Sequence, residues 1–505
     1  MNDRTAPRTY RFAPLDRSGV LLGLSGTQCA VLGGGAVASG WLLDRAVPAP
    51  LVTAPLLAAL VIAFVRMGDV SLCDGLPTLA RFTLRVATGR NRWFARLPFF
   101  GGAESSCQAR FVDLPPWMAG LEIVDAGPAC WGASARIAGV GVVIDRRGRT
   151  ASGTVRVHAS GFCLADRVTQ ERLVAGWGDV LGAFCREGGP VSQVRWTEWL
   201  SPPSMDARPL DQDEPGLTRT VATDAYRELV TEATNTSASH EVLVTVTVDV
   251  RRLRGRGRRR SERFAAATDV LLEELRLLDG RLRAAGLSAD PPLSPAELAD
   301  AIRRRFDPHG CVLPARPESL AAAAGVVRTL RAAPLATEAA WSHVRVDGTV
   351  HRTFWVAEWP RLDVPPNWME PLILHPGAVR TVSVIYEPVP PGRSRRQIDR
   401  EATKLASDEE QRTRAGFRIG ARHRRQEGAL VEREAELVAG FGELCFAGFV
   451  TVSAATPDTL DTACADYLQA AAQVGLELRR LDGRHDTGLL CALPVGRGVA
   501  PRRLR

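Results

Sequence analysis

The stretch Glu241–Val250, EVLVTVTVDV, alternates apolar and polar side chains over ten residues and is the clearest strand signal in the chain. Successive side chains of a β-strand point to opposite faces, so this alternation predicts a strand with one face in a hydrophobic core. Thr150–His158 and Val191–Leu200 alternate in the same way. Asp166–Glu187 and Phe264–Ala285 have the periodicity of amphipathic helices. The sequence around this stretch therefore predicts a module of strands covered by helices.

Further elements follow toward the carboxyl end. In chain order we predict strands at 350–359 and 379–386, a charged helical region at 393–440, a strand at 443–453, a helix at 459–474, and strands at 476–481 and 487–493. Capping patterns that begin at Ser294 and Thr456 mark the starts of two helices. This order predicts an α+β fold with helices packed on one face of antiparallel sheets. We assign 110–310 to a first α+β module and 311–505 to a second.

The amino-terminal region contains two long stretches without a charged side chain. They run from Ser18 to Leu43 and from Ala46 to Val65, and only Asp44 and Arg45 separate them. Each reaches the ~20 residues that a helix needs to cross a bilayer. We therefore predict a transmembrane hairpin over 18–66, with spans at about 18–43 and 46–65.

Arginine placement predicts the orientation of this hairpin. Arginines are frequent in the arm 1–17 and in the basic juxtamembrane linker 67–109, whereas the turn between the spans has only Arg45. The positive-inside rule then places both termini in the cytoplasm, so the sequence predicts a cell-membrane protein with two spans. The linker has helical spacing with interleaved arginines. Two interpretations stay open: a helix at a lipid headgroup surface, or a helix docked on the cytoplasmic domain.

Small side chains recur every four residues in the first apolar stretch, at Gly26, Ala30, Gly34 and Ala38. Such a stripe lets another helix approach closely. The stripe either packs against the second apolar stretch of the same chain or receives a helix of a partner.

The composition of the 505 residues excludes several activities. Lys404 is the only lysine among 64 lysines and arginines, and no glycine loop precedes it. A P-loop ATPase needs a lysine after its glycine-rich loop, so that class is excluded. The ten cysteines are scattered without a Cys-x-x-Cys pair, which is typical of free thiols in a reducing compartment. The sequence nominates no catalytic residue, metal ligand or cofactor, and we predict a protein that is not an enzyme.

Two basic segments are candidate interaction sites. The first follows the best strand and consists of Arg251, Arg252, Arg254, Arg256, Arg258, Arg259 and Arg260. The second, at the end of a charged helix, consists of Arg422, Arg424 and Arg425. A solvated loop and a solvated helix are the simplest interpretations. Contact with an acidic protein, lipid or nucleic acid is the alternative, although stacking aromatic residues are scarce beside these arginines.

Short motifs at both ends resemble a known family. Arg8-Thr9-Tyr10-Arg11-Phe12, followed by the two apolar stretches, is similar to the PrgI-like membrane hairpin. The segment 426–496 resembles the amino-terminal, non-catalytic region of the conjugation assembly ATPases, with the motifs EREAEL (432–437), FAGFVTVS (446–453), LRRL (478–481) and ALPVG (492–496). The chain thus resembles an actinobacterial family of membrane proteins associated with type IV secretion and conjugation.

This resemblance implies a membrane-anchored scaffold that docks a separate cytoplasmic ATPase and other membrane components, with an oligomer as an open possibility. A scaffold of a type VII secretion system is one alternative. A membrane-tethered nucleic-acid-binding protein is another. The resemblance carries over no catalytic residue, since the ATPase domain has no counterpart in this chain.

Overall fold

The structure, a computed structural model, describes residues 10, 12, 26–45, 48–67, 70–95, 114–131, 135–158, 161–201, 239–253, 260–308, 332–414 and 421–499. Its helices are α1 (Gly26–Asp44), α2 (Ala49–Phe64), α3 (Leu72–Ala87), α4 (Arg167–Gly182), α5 (Arg260–Ala284), α6 (Pro295–Phe306), α7 (Glu370–Ile373), α8 (Pro391–Arg414), α9 (Ala421–Val438), α10 (Pro457–Gln473) and α11 (His485–Leu489).

The strands of the first module and of the region before it are β1 (Arg66–Met67), β2 (Val70–Ser71), β3 (Arg92–Phe94), β4 (Leu121–Asp125), β5 (Ala129–Trp131), β6 (Ala135–Ile137), β7 (Gly141–Asp145), β8 (Thr150–His158), β9 (Val191–Ser201), β10 (Ser239–Asp249) and β11 (Ser288–Pro292). Those of the second module are β12 (Ala336–Ala339), β13 (Val344–Val346), β14 (Thr349–Glu358), β15 (Val379–Val389), β16 (Glu443–Ala454) and β17 (Glu477–Arg480).

Thirteen of these strands form one antiparallel sheet. Its order is β3-β12-β13-β14-β16-β15-β9-β10-β8-β7-β4, with β11 paired to β8 and β17 paired to β14. The two predicted modules meet where β15 pairs with β9, from Arg380 opposite Leu200 to Tyr386 opposite Val194. The modules therefore share a continuous sheet, and the α+β prediction with antiparallel strands is confirmed.

The two halves of the sheet have the same topology. Going outward from the central pair, β9, β10, β8 and β7 in the first half correspond to β15, β16, β14 and β13 in the second. Among the described residues the chain order also matches, apart from α8 and α9, which lie between β15 and β16: a hairpin, a helix, a strand, a further strand, a helix, a short strand and a helix. The short strand pairs with the long hairpin strand in both halves. The fold is thus an internal structural duplication about the β9–β15 pair.

Helices cover both faces of this sheet. On the first face α5 packs on Val155, Val244 and Val246, and α10 packs on the equivalent part of the second half. On the second face α6 packs on Val143 and Leu243, whose side chains point the opposite way. The expectation that helices cover one face only was wrong, because strands buried on both sides need a layer on each.

The carboxyl-terminal segment 490–499 lies on the second face and is held there by a buried arginine. The Arg195 guanidinium donates to the carbonyls of Leu490 and Leu493, both at 2.7 Å, and to that of Arg497 at 2.9 Å. Burial lowers the pKa of Arg195 to about 10 even though the nearby Cys491 opposes the shift. A side chain at Gly496 would collide with the hydroxyls beneath it. The strand predicted at 487–493 was wrong, since these residues form α11 and a 3₁₀ turn.

Two transmembrane spans at 18–43 and 46–65 were predicted, and this was wrong. Within the described residues no helix has both the length and the apolar character that crossing a bilayer requires. At 1.5 Å per residue, the 16-residue α2 is about 24 Å long and ends at Phe64, where the backbone becomes extended. The 19-residue α1 contains Gln28 and five glycines, which dilute its apolar content. The multi-pass cell-membrane location was predicted from these spans and is therefore wrong as well. Residues 18–25 lie outside the described part.

Replacing Arg195 by methionine should lower the free energy of unfolding by about 3 kcal/mol, because it leaves the buried carbonyls of the carboxyl-terminal segment without donors. Arg414, on the exposed side of α8, is the matched control, and Arg414→Met should change stability by less than about 0.5 kcal/mol. Urea denaturation measures both. Equal effects at the two positions would contradict the structural role of Arg195.

Candidate interaction surface

The helices α1, α2 and α3 expose many large apolar side chains. On α2, Leu57 is 59% exposed and Val61 is 54% exposed, and Phe64 continues the same face one turn later. On α1, Val37 is 74% exposed. We define the apolar helical surface as the exposed residues Val37, Trp41, Leu43, Leu51, Leu56, Leu57, Leu60, Val61, Phe64, Leu76, Leu79, Leu84 and Val86. Exposed apolar patches of this kind mark interaction sites.

Close packing between α1 and α2 creates this surface. A Cβ at Gly35 would lie 2.5 Å from the Cβ of Ala59 and 3.1 Å from the carbonyl oxygen of Pro55. The side chain of Gln28 donates to the carbonyl of Ala63 at 2.9 Å. Only glycine at position 35 allows this approach, so α1 and α2 form a hairpin that leaves their outer faces uncovered.

The small-residue stripe lies mostly on an outer face. Gly26, Ala30 and Gly34 are exposed, and a Cβ at Gly34 would have no atom within 4 Å. Ala38 is half-buried. The contact with α2 therefore runs through Gly35, one residue away from the stripe. Of the two interpretations of the stripe, the geometry favours the one in which it receives another helix.

Helix α3 connects the hairpin to the sheet. Arg85 donates to the carboxylate of Asp486 at 2.7 Å, and Asp486 is almost completely buried at the start of α11. Phe82 packs edge-to-face against Trp341, with ring centroids 5.3 Å apart. These contacts favour a docked helix over one that lies at a headgroup surface. They also fix the apolar helical surface relative to the second module.

The basic segment after β10 is only partly described. Arg251 donates to Asp249 at 3.0 Å, and Arg252 donates to the carbonyl of Val191 at 2.7 Å. Arg260 is the first residue of α5. The remaining arginines of the segment, Arg254, Arg256, Arg258 and Arg259, lie outside the described residues. The first two arginines thus serve local structure.

The second basic segment lies at the start of α9 rather than at the end of one long helix. Arg424 and Arg425 are exposed there, and Arg422 belongs to the first turn. The charged region predicted as continuous over 393–440 is two helices, α8 and α9, that pack on each other.

A partly buried ion cluster on β10 was not predicted from the sequence. Glu241 on β10 accepts from Arg305 and from Arg156, each at 2.8 Å. Burial alone would raise its pKa, but Arg305, Arg156 and Arg304 outweigh burial and lower the pKa of Glu241 to about 2. Arg305 also lies over the ring of Trp199, 4.8 Å from its centroid. The one indication in the sequence was Glu241, an acidic residue in a strand rich in valine.

This ion cluster holds α6 on the sheet, and its geometry serves stability. All three arginines form ion pairs with the carboxylate of Glu241. Within the residues that the structure describes, no group of three or more His, Cys, Asp or Glu side chains has the arrangement to hold a metal ion. One cavity, lined by Tyr467 and Phe449 among others, holds only about 10 Å³ and has no room for a substrate. A more open groove of about 510 Å³ is lined by Trp368, Glu370 and His375 among others.

No protein-family model and no curated protein matches this chain.

Glu241→Gln should remove stability in a pH-dependent way. The folded-state pKa is about 2 against an ordinary value of 4.5, so the charged carboxylate stabilises the fold fully above pH 4.5 and loses this effect as the pH falls toward 2. We expect a loss of about 3 kcal/mol at pH 7 that shrinks as the pH is lowered through this window. Denaturation of both proteins between about pH 3 and pH 7 measures the difference in their free energies of unfolding. This range covers the upper part of the window and the pH values above it. A difference in the free energy of unfolding that stays constant over this pH range would contradict the lowered pKa of Glu241.

Gly35→Ala should separate α1 from α2, because the new methyl group would overlap Ala59 and the backbone of Pro55. Amide hydrogen exchange in α1 should become faster. Gly34→Ala is the matched control: its methyl group meets no atom within 4 Å, and alanine favours a helix by about 1 kcal/mol over glycine. Exchange in the control should be unchanged or slower. Faster exchange in both variants would show that Gly35 has no special role.

Proposed function

We propose that this protein is a non-enzymatic scaffold subunit that docks a partner protein through the apolar helical surface. The observation that carries the proposal is that α1 and α2 present large apolar side chains outward while α3 ties them to a rigid sheet. A scaffold needs a docking surface in a fixed position on a body that does not rearrange. The 13-stranded sheet supplies that body.

The chemistry of the surface suits an apolar helical segment of the partner. The exposed faces of α1 and α2 carry no charged side chain between Gly26 and Leu43 or between Ala49 and Phe64. Gly33 and Gly34 leave open space on α1, which allows a second helix to approach its backbone. Burial of leucine and valine side chains would drive the association.

The resemblance of 426–496 to the non-catalytic region of conjugation assembly ATPases supports a finer proposal. The partner would then be a separate ATPase of that class in a type IV secretion-like or conjugation apparatus. Of the described basic residues, Arg251 and Arg252 do not favour the nucleic-acid alternative, because both are engaged in local hydrogen bonds. Arg424 and Arg425 are exposed and do not decide between the alternatives.

The double variant Leu57→Glu/Val61→Glu should reduce recovery of the ATPase partner at least tenfold in pull-downs of the full chain from its own cells, since it places two charges where an apolar helix would pack. Both side chains are exposed, so the thermal unfolding midpoint should stay unchanged. The matched control is Leu164→Glu on the body, where the side chain is 94% exposed. It should leave recovery unaltered.

Three results would refute this function. The ATPase could be retained by the double variant, the chain could partition into lipid vesicles in place of binding a protein, or the purified chain could itself hydrolyse nucleotide.

A further inference from the structure

A segment near the amino terminus lies against the second module, more than 300 residues away in sequence. Tyr10 and Val364 exchange two backbone hydrogen bonds, with the amide of Tyr10 donating to Val364 at 2.9 Å and the amide of Val364 donating to Tyr10 at 3.0 Å. This antiparallel bridge lies in the connection between β14 and α7, where Val364 is buried. The contact is independent of the apolar helical surface.

Phe12, two residues after Tyr10, fits among three aromatic rings. It stacks on Trp359 with centroids 5.1 Å apart and an interplanar angle of 24°. It meets Trp368 edge-on at 5.4 Å and Phe446 at 6.3 Å. We call Trp359, Trp368 and Phe446 the aromatic socket.

The three rings of the socket pack against one another and against the sheet. Trp359 packs edge-to-face on Phe446 at 5.2 Å and on Trp368 at 6.2 Å. The indole of Trp359 lies over Gly448 on β16, where a Cβ would come within 2.9 Å of the ring. Since the rings brace one another against a sheet strand, the socket is pre-shaped for a flat side chain.

We propose that the aromatic socket, together with the backbone edge at Val364, is a docking site for an extended aromatic-x-aromatic segment, and that the chain's own Tyr10–Phe12 is the segment that occupies it. In an extended segment alternate side chains point to the same side. Backbone pairing at one residue and a pocket for the residue two positions later are the elements of peptide recognition by strand addition. This site goes beyond the scaffold role and does not depend on it.

A peptide-binding experiment on the full chain tests the proposal. The probe is a fluorescent peptide of residues 7–14, PRTYRFAP, and the reference peptide is PRTYRAAP. Phe12→Ala vacates the socket, so this variant should bind the probe at least tenfold more tightly than the unaltered chain. Phe441→Ala, at an exposed phenylalanine elsewhere, is the matched control and should behave like the unaltered chain. The reference peptide should bind none of them.

Binding of the probe with equal strength to all three proteins would show that the arm does not occupy the socket. Failure of the probe to bind Phe12→Ala would show that the socket is not a peptide site. Both results overturn the proposal.

A disulfide trap checks occupancy without vacating the socket. Residues that exchange both backbone hydrogen bonds have Cα atoms about 5.5 Å apart, which is within disulfide range. Oxidised Tyr10→Cys/Val364→Cys should therefore contain a link between positions 10 and 364 within one chain, detected by mass spectrometry. Tyr10→Cys/Leu362→Cys, with its second position strongly exposed, should link much less. A link between two chains, or equal linking in both variants, would overturn occupancy by the chain's own segment.

Discussion

The antiparallel pairing of β9 with β15 is the contact on which the rest of the molecule depends. It joins two halves of the same topology into one sheet, and it brings Arg195 to the middle of the second face. Arg195 holds the carboxyl-terminal segment there. The helix α11 precedes that segment and carries Asp486, which fixes α3 through Arg85. The position of the apolar helical surface thus follows, step by step, from the central strand pair.

This chain of contacts supports the proposal that the duplicated sheet acts as a scaffold. A sheet buried on both faces has little freedom to deform, so a helix docked on it keeps a fixed position. The buried charges reinforce this rigidity: Glu241 unites α6 with β8 and β10 through Arg305 and Arg156. The exposed apolar side chains are concentrated on α1, α2 and α3. In the proposed scaffold, the sheet would hold the three helices in a fixed position and the helices would form the contact surface.

The regular elements of the body could be predicted from local patterns. The strand quoted from Glu241 and the helix that begins after Ser294 are where periodicity and capping place them. Two failures have different causes, one local and one that depends on distant contacts. The absence of charge over 18–43 and 46–65 was mistaken for a pair of membrane spans, because a count of charges does not measure helix length or glycine content. Glu241 could not be recognised as an ion-cluster residue, since its arginine partners Arg156 and Arg305 are 85 and 64 residues away. The β9–β15 pair has no local signal at all.

Site-specific photocrosslinking in the native cells identifies what docks on the apolar helical surface. A photoreactive amino acid would replace Leu57 on the apolar helical surface. The reference position is Leu164, a leucine just before α4 that is also exposed. Irradiation in the native cells followed by mass spectrometry identifies what each position touches. We predict that position 57 crosslinks to an ATPase of the conjugation assembly class and that position 164 does not. Crosslinks from position 57 only to lipid, or the same products from both positions, would contradict it.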